Sequence, residues 1–311
     1  MRVLIVGGTR IVGPAAADAL IAAGHDVAVA HSGAHESRAL DPAAEHIHGA
    51  RNELLAAGGA VERWRPDALV DTFAGGASAA SAAALAACAE RTGARIVAVS
   101  SVDVYRYLVE AGLGDGSGTA MLPAGAIPLR EDAPLREGPY PGAAPGHDNV
   151  AMEAELHGCA RAAALRPGAI YGPFATTREH TLVERAARGE RRLELPDGGA
   201  QVFHRVALAR VAAAIGAAVE RAPDGFWACN VVDPYDSDYA GLARKVGDLL
   251  DFAWEPVDVP FATTDHPWQT RHPCLASDER LRTVLGVRAD EPDPDEALAA
   301  TVAWLSENAG R

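Results

Sequence analysis

Aromatic residues make up only 5% of this 311-residue chain, and it holds just four cysteines. A core must therefore be built by alanine-rich helices and Val/Ile/Leu strands, and a hydrophobic content of 49% over this length is enough for a full α/β core. Cys88, Cys159, Cys229 and Cys274 lie far apart with no C-x-x-C pair, which points to neither a disulfide framework nor a cysteine-built zinc site; buried reduced thiols are expected. Positive charge is scarce as well: 28 Lys and Arg against 42 Asp and Glu give a formal charge of −14, which opposes a nucleic-acid backbone as partner. No apolar run approaches the roughly 20 residues of a membrane span, and no charged leader or signal core precedes the first strand pattern, so a cytoplasmic protein without a membrane partner is expected. His46 and His48 share one strand face, but no third ligand lies near them in sequence; they read as strand surface, and no metal is expected.

What is present is organised around Val3-Leu4-Ile5-Val6-Gly7-Gly8-Thr9-Arg10-Ile11-Val12-Gly13. A continuous apolar run is the mark of a parallel strand buried on both faces, and Gly7 and Gly8 let the backbone turn sharply beneath an anion. Gly13 permits close packing of the following helix, whose N-terminal N–H groups and positive dipole end suit a pyrophosphate. Helix spacing continues through Ala16, Leu20 and Ile21, Pro14 is tolerated in the first turn, Gly24 supplies the stop, and His25 to Ala30 gives a second strand.

Alternation then continues: a strand at His46 to His48, a helix at Glu53 to Trp64, a strand at Ala68 to Thr72, a helix at Ser78 to Arg91, and a strand at Arg95 to Val99. This pattern predicts an α/β fold with a doubly wound parallel sheet of the Rossmann type, whose ligands bind at the carboxyl ends of strands, so that Gly7, His31, Ala50, Phe73 and Ser100 ring one crevice. From Arg106 to Gly146 the density of glycine and proline argues against regular helix or central strand, and a substrate lid is expected there in preference to a flexible insertion. A helix is predicted from Asp148 to Ala164. Beyond Pro173 shorter elements follow: helices near Glu179 to Arg188, Ala207 to Glu220, Tyr239 to Leu250, Asp278 to Leu285 and Pro294 to Asn308, with strands at Gln201 to His204 and Phe226 to Val232. The expected organisation is a dinucleotide-binding domain over 1–173 and a smaller C-terminal substrate lobe over 174–311, with elements returning to the main domain. Arg185, Arg188, Arg191 and Arg192 form a local basic cluster, read as a solvated helix face or, failing that, as a holder of an anionic substrate group.

The glycine loop, Ser100-Ser101-Val102-Asp103-Val104-Tyr105-Arg106 and Arg166-Pro167-Gly168-Ala169-Ile170-Tyr171-Gly172-Pro173 together resemble the extended short-chain dehydrogenase/reductase superfamily, the NAD-dependent epimerase/dehydratase group, in its Gly-Gly-Thr-Arg loop branch. His272 to Asp278 and Asp295 through Trp304 look like the closing segments of that branch. The resemblance implies a dinucleotide held by Gly7, Gly8, Thr9, Arg10, Ile11 and Gly13, with Ser32, Ala50, Arg51, Phe73, Ser100 and Pro167 around it. It also implies a small-molecule substrate bound over the C-terminal lobe, and leaves room for a homodimer.

The chain departs from the family at the catalytic pair. The Tyr-x-x-x-Lys positions fall on Pro145 and Asn149 when aligned on Glu153 and on Arg166-Pro167, and neither residue can perform that proton transfer. Ser101 occupies the family's serine position; Tyr105, Tyr140, His147 and Asp148 are the titratable groups expected in the same space, with His147 and Tyr140 the candidate replacements. Arg10 replaces the middle glycine of the usual G-x-x-G-x-x-G, Ala50 replaces an aspartate often found near the adenine, and the second strand ends His31-Ser32-Gly33 without a carboxylate for a ribose 2′-hydroxyl. NADP is therefore favoured over NAD, with Arg10 as the partner of the 2′-phosphate. The reading is an NAD(P)-binding epimerase, dehydratase or reductase on a small polar metabolite; the alternatives are a non-redox isomerase, cyclase or lyase, or a catalytically silent dinucleotide sensor.

Overall fold

The computed structural model describes residues 1–37, 39–72, 76–111, 127–140, 143–175, 177–234, 237–261 and 272–308. The first half of the chain runs β1 (Arg2–Val6), α1 (Val12–Ala22), β2 (Asp26–His31), β3 (Glu45–His48), α2 (Arg51–Leu55), α3 (Ala60–Trp64), β4 (Ala68–Asp71), α4 (Ala79–Thr92), β5 (Arg95–Val99), α5 (Arg106–Glu110), α6 (Asn149–Leu156) and β6 (Arg161–Pro167). The second half runs β7 (Ala169–Tyr171), α7 (Arg178–Ala187), β8 (Arg192–Pro196), β9 (Arg205–Ala207), α8 (Leu208–Arg221), β10 (Gly225–Val231), α9 (Tyr239–Leu249), β11 (Glu255–Val259), α10 (Glu279–Thr283) and α11 (Pro294–Asn308). Among the described residues no helix is long and apolar enough to cross a membrane.

Seven strands form one parallel sheet in the order β10-β6-β5-β4-β1-β2-β3. This is the doubly wound, Rossmann-like arrangement that the alternation predicts. Val3, Ile5, Val27, Val29, Val70 and Val97 face one side, packed with Leu20 of α1 and with Val211, Ile215 and Val219 of α8. Leu4, Val6, Leu69 and Ile96 face the other, packed with Leu85 of α4, Trp64 of α3 and Met152 and Leu156 of α6. Burial of both faces is what makes the central strands continuous apolar runs rather than alternating ones. A separate cluster joins Leu182, Leu193, Leu242, Val246 and Leu298, and a two-stranded pairing of β8 with β11 lies beside it.

Several elements differ from the sequence expectation for identifiable reasons. The helix expected over Glu53 to Trp64 is broken in two, because Gly58 takes a φ of 67° and a Cβ on Gly59 would lie 2.5 Å from the Leu54 carbonyl oxygen. The helix expected to reach Ala164 ends at Leu156, and Ala162, Ala163 and Ala164 are instead fully buried in β6. Strand β10, expected within the smaller lobe, pairs with β6 along its whole length and forms the edge of the main sheet. Gln201 to His204 is not a strand; Phe203 makes a single bridge to Cys274.

Candidate functional site

All seven strands of the sheet point their carboxyl ends to one edge, and the chain reverses its winding between β1 and β4. That switch point opens a cleft of about 740 Å³ lined by Val6, Gly7, Thr9, Arg10, Ile11 and Val12 from the first turn, with Thr72 from the end of β4 and Ile170 opposite. The loop is compact because its glycines leave no room for side chains. A Cβ on Gly8 would lie 2.6 Å from Val29 Cγ1, and one on Gly13 would lie 2.2 Å from the Gly8 carbonyl oxygen. Gly7 takes a φ of 94° and donates its N–H to the Ala30 carbonyl at 2.9 Å, while Gly13 donates to Arg10 at 2.9 Å. Gly7 and Gly13 therefore shape the loop rather than point donors at an anion, which corrects the expectation that they are among the residues holding the dinucleotide directly. The N–H groups of Gly8, Arg10, Ile11 and Val12 have no backbone partner among the described residues, and Ile11 gives α1 no side-chain cap. An uncapped N-terminus on an eleven-residue helix, opening into a cleft, fits a pyrophosphate.

Away from the loop, His31 and Ser32 at the end of β2, with His35, Gly49 and Arg51, complete the wall. Arg10 Nη2 lies 2.8 Å from His35 Nε2. Arg51 makes a two-pronged ion pair with Asp71, at 3.0 and 2.6 Å, so its guanidinium is committed to the end of β4. Ala50 is exposed as the residue before α2, and Phe73 lies outside the described residues. The face read as plain strand surface is more crowded than its sequence spacing suggests. Its register partner His31 and the loop residue Glu36 close on His46 and His48, with His31 Nε2 2.9 Å from His46 Nδ1 and Glu36 Oε1 3.0 Å from His48 Nε2. Burial pulls the His31 pKa below its ordinary value, opposed by Glu36.

The second cluster follows β5, two strands from β1 along the same sheet edge. Ser101 caps a single 3₁₀ turn over 102–104 by accepting the Asp103 N–H at 3.1 Å, which turns the Asp103 side chain inward. There Asn149 Nδ2 lies 3.1 Å from both carboxylate oxygens, His147 Nε2 lies 3.7 Å from Oδ2 and Arg136 Nη2 lies 3.5 Å from Oδ1. Burial pushes the Asp103 carboxyl up, but the bonds from His147 and Asn149 and the Arg136 charge outweigh it, leaving its pKa below the usual value. Asp148 caps α6, accepts from Arg136 at 2.9 Å and donates its own N–H to Ala77, tying the cluster to the loop after β4. Tyr140 sits 6.4 Å from the His147 ring, edge-on, with the Arg136 guanidinium 5.7 Å from its face. Burial, reinforced by Asp103, raises the Tyr140 pKa, so its phenol remains protonated at neutral pH. Tyr140, His147 and Asp148 are thus brought together, around a carboxylate and an arginine that sequence reasoning did not place with them. Asn149 Oδ1 is buried and has no hydrogen-bond partner among the described residues.

The other candidates lie deeper. Tyr105 is fully buried; its hydroxyl donates to Asn230 Oδ1 at 2.5 Å and accepts from Arg166 at 3.1 Å, and burial pushes its pKa up to about 12. Ser100 donates to Glu153 at 2.6 Å, and Glu153 pairs with Arg166 at 2.6 Å with both side chains almost wholly buried. Asn230 in turn donates to the carbonyls of Leu129 and Ser277. Ser100 and Tyr105 belong to this internal polar network, and Pro167, at the end of β6, belongs to the sheet itself. In the expected lid, Arg106 to Glu110 is helical, Leu129, Glu131 and Arg136 are buried, and 112–126 and 141–142 lie outside the described residues. The basic cluster is paired on the surface: Arg188 with Glu190 at 2.7 Å, Arg192 with Glu194 at 3.2 Å and Arg185 with Glu190 at 3.6 Å. The chain's single lysine, Lys245, bonds Asp295 at 2.6 Å in the C-terminal part.

No protein-family model matches the chain, and no curated protein matches it. Solved structures do. The UDP-glucose 4-epimerase of Thermotoga maritima, solved with UDP-glucose, superposes over 99% of each chain with a TM-score of 0.75 at 18% identity. The UDP-glucose 4-epimerase of Thermus thermophilus, solved with NAD, covers 98% of this chain and 99% of its own at a TM-score of 0.73 and 20% identity. The dTDP-glucose 4,6-dehydratase of Bacillus anthracis, also with NAD, covers 99% and 97% at 0.72 and 15%. At these identities the likeness is one of fold, end to end, and it agrees with the resemblance carried by the sequence motifs.

Proposed function

We propose that this chain is an NAD(P)-dependent enzyme of the epimerase, dehydratase or reductase kind, acting on a small polar substrate such as a nucleotide-linked sugar. The observation that carries the reading is the cleft at the switch point, whose glycine-tight floor and unpartnered N–H groups fit a pyrophosphate. The fold neighbours that bind NAD and nucleotide sugars support it. NADP is the favoured form: Arg10 and His35 meet at the cleft wall, and Glu36, the nearest carboxylate after β2 in sequence, is engaged by His46 and His48.

The nicotinamide, when bound, takes or returns a hydride. The proton that must move with it belongs to this chain's own residues. With Pro145 and Asn149 at the family's tyrosine and lysine positions and the only lysine held by Asp295, no Tyr/Lys pair can form. His147 is the proton-transfer group in our reading, oriented by the Asp103 carboxylate, which favours the imidazolium that results when a substrate hydroxyl gives up its proton. The bonds from His147 and Asn149, with the Arg136 charge, keep Asp103 ionised, and Tyr140 positions the substrate as a hydrogen-bond donor. Asn149 Oδ1 is an acceptor for a ribose or substrate hydroxyl.

Fluorescence titration with NADPH and NADH tests the reading directly. Saturable binding, tighter for NADPH, is expected; saturation by neither at millimolar concentration removes the redox function and leaves a non-redox enzyme on the same fold.

A further inference from the structure

The strand pair at the outer edge of the sheet carries three imidazoles on one face. His46 and His48 are two apart on β3, so their side chains leave the same side, and His31 on β2 is the register partner of His48. Their ring centroids are 5.1 Å (His31 to His46), 4.5 Å (His31 to His48) and 6.0 Å (His46 to His48) apart. After His31 the chain turns at Gly33, with a φ of 77°, and brings Glu36 back over the same face. A ligand atom from each of the four residues lies within 4.8 Å of every other.

The packing is hard to account for as strand surface. Three imidazoles in mutual contact bury apolar area poorly and repel one another when protonated. Their nitrogens nevertheless face inward, toward a carboxylate. Tetrahedral donors at the Zn–N distance of about 2.0–2.1 Å stand about 3.3 Å apart. Here His31 Nε2 to His46 Nδ1 is 2.9 Å, His48 Nε2 to Glu36 Oε1 is 3.0 Å and His46 Nδ1 to Glu36 Oε2 is 3.6 Å, values that bracket that spacing. We propose that His31, Glu36, His46 and His48 form a four-ligand site for a divalent transition ion of the zinc class.

The donor set selects the ion. Three imidazoles and one carboxylate suit zinc, cobalt, nickel or copper, whereas calcium and magnesium take oxygen shells. Coordination through His31 Nε2 places that ring's proton on Nδ1, so the Gly33 N–H, now 3.2 Å from Nδ1, must turn away. The ion ties the segment after β2 to the sheet edge. That segment contains Ser32 and His35, which line the cleft, so the metal stiffens one wall of it.

The test uses the full chain stripped with a chelator and titrated with Co²⁺, followed by the visible absorption of tetrahedral cobalt and then by displacement with Zn²⁺. One equivalent is expected to give the tetrahedral band and to be displaced by zinc. His48 lies largely on the surface, and His48→Ala should keep the fold while weakening binding by at least the ~10–100-fold that loss of even an outer-shell partner costs. His46→Ala should do the same, and zinc should raise the melting temperature of the parent chain but not of the double variant. Absence of a tetrahedral band at one equivalent overturns the proposal. So does a band of undiminished affinity in the double variant, since it places the ion elsewhere.

Discussion

The two candidate regions along the sheet edge are made of different materials. The cleft proposed for a dinucleotide is built from backbone: one continuous stretch supplies a strand, a glycine turn and an uncapped helix, and its shape follows from the missing Cβ atoms of Gly8 and Gly13. The cluster around Asp103 is built from side chains that arrive from separate segments, with Arg136 and Tyr140 from one loop and His147 and Asn149 from the start of another element. A backbone site keeps its function through many substitutions outside its glycines. A side-chain site can lose its usual residues and be rebuilt from others, which is how we read Pro145 and Asn149.

That contrast can be tested at both ends. The largest effect is expected at the side-chain cluster: His147→Ala should lower turnover by the ~10²–10⁴ typical of a general acid or base, with dinucleotide affinity almost unchanged. Asp103→Asn should fall in the same direction, and Tyr140→Phe should fall less if Tyr140 positions rather than transfers. Full turnover in His147→Ala would show that the proton path lies elsewhere. Next comes the internal network around Glu153 and Arg166. Arg166→Met removes the ion-pair partner of the buried Glu153, and loss of one partner of such a pair costs about 3–5 kcal/mol, to be read by urea unfolding. An unchanged midpoint would show that the Glu153–Arg166 pair does not hold the fold. Smaller again is Arg10→Gly at the cleft, expected to weaken NADPH by the ~1.5–3 kcal/mol of a hydrogen bond to a charged group while leaving NADH nearly unaffected. Equal weakening of both would assign Arg10 to the loop's structure.

A pH dependence lies outside both regions. Burial lowers the His204 pKa from 6.5 to about 4, and its Nδ1 accepts the Ala276 N–H at 2.5 Å. The unfolded chain therefore binds a proton before the folded one does. This contribution to stability is complete above pH 6.5, declines as the pH falls toward about 4 and then levels off. Comparing melting temperatures of the parent and His204→Gln across that window checks it; parallel curves would refute it.

The difference in materials also sets what the sequence reveals. The glycine loop and the central strands are local patterns, and residues such as Val3 to Val6 sit where periodicity places them, with a seven-stranded parallel sheet around them. Ala162 to Ala164 is the instructive failure. An alanine run has the highest helix propensity, yet here small side chains serve a strand enclosed by helices on both faces, and tertiary packing overrides propensity. The crowding of the histidine face was illegible for another reason: His46 and His48 share their face by local periodicity, but His31 reaches it only through strand register and Glu36 only through a turn. Likewise Tyr105 and His147 are equally titratable on paper, and only the fold puts one in the core and the other beside Asp103.

The network around Glu153 and Arg166 bears on how the chain can be made as well as on how it is held. Arg166 in β6 finds its partners before it in sequence, but Asn230, which completes the bond to Tyr105, lies in β10 and is itself fixed by Ser277. A chain emerging from the ribosome has β6 as an open, alanine-lined edge until residue 231 is out, and Tyr105 waits for it. A fragment ending at 173 should therefore be insoluble, and supplying 174–311 in trans during refolding should recover it.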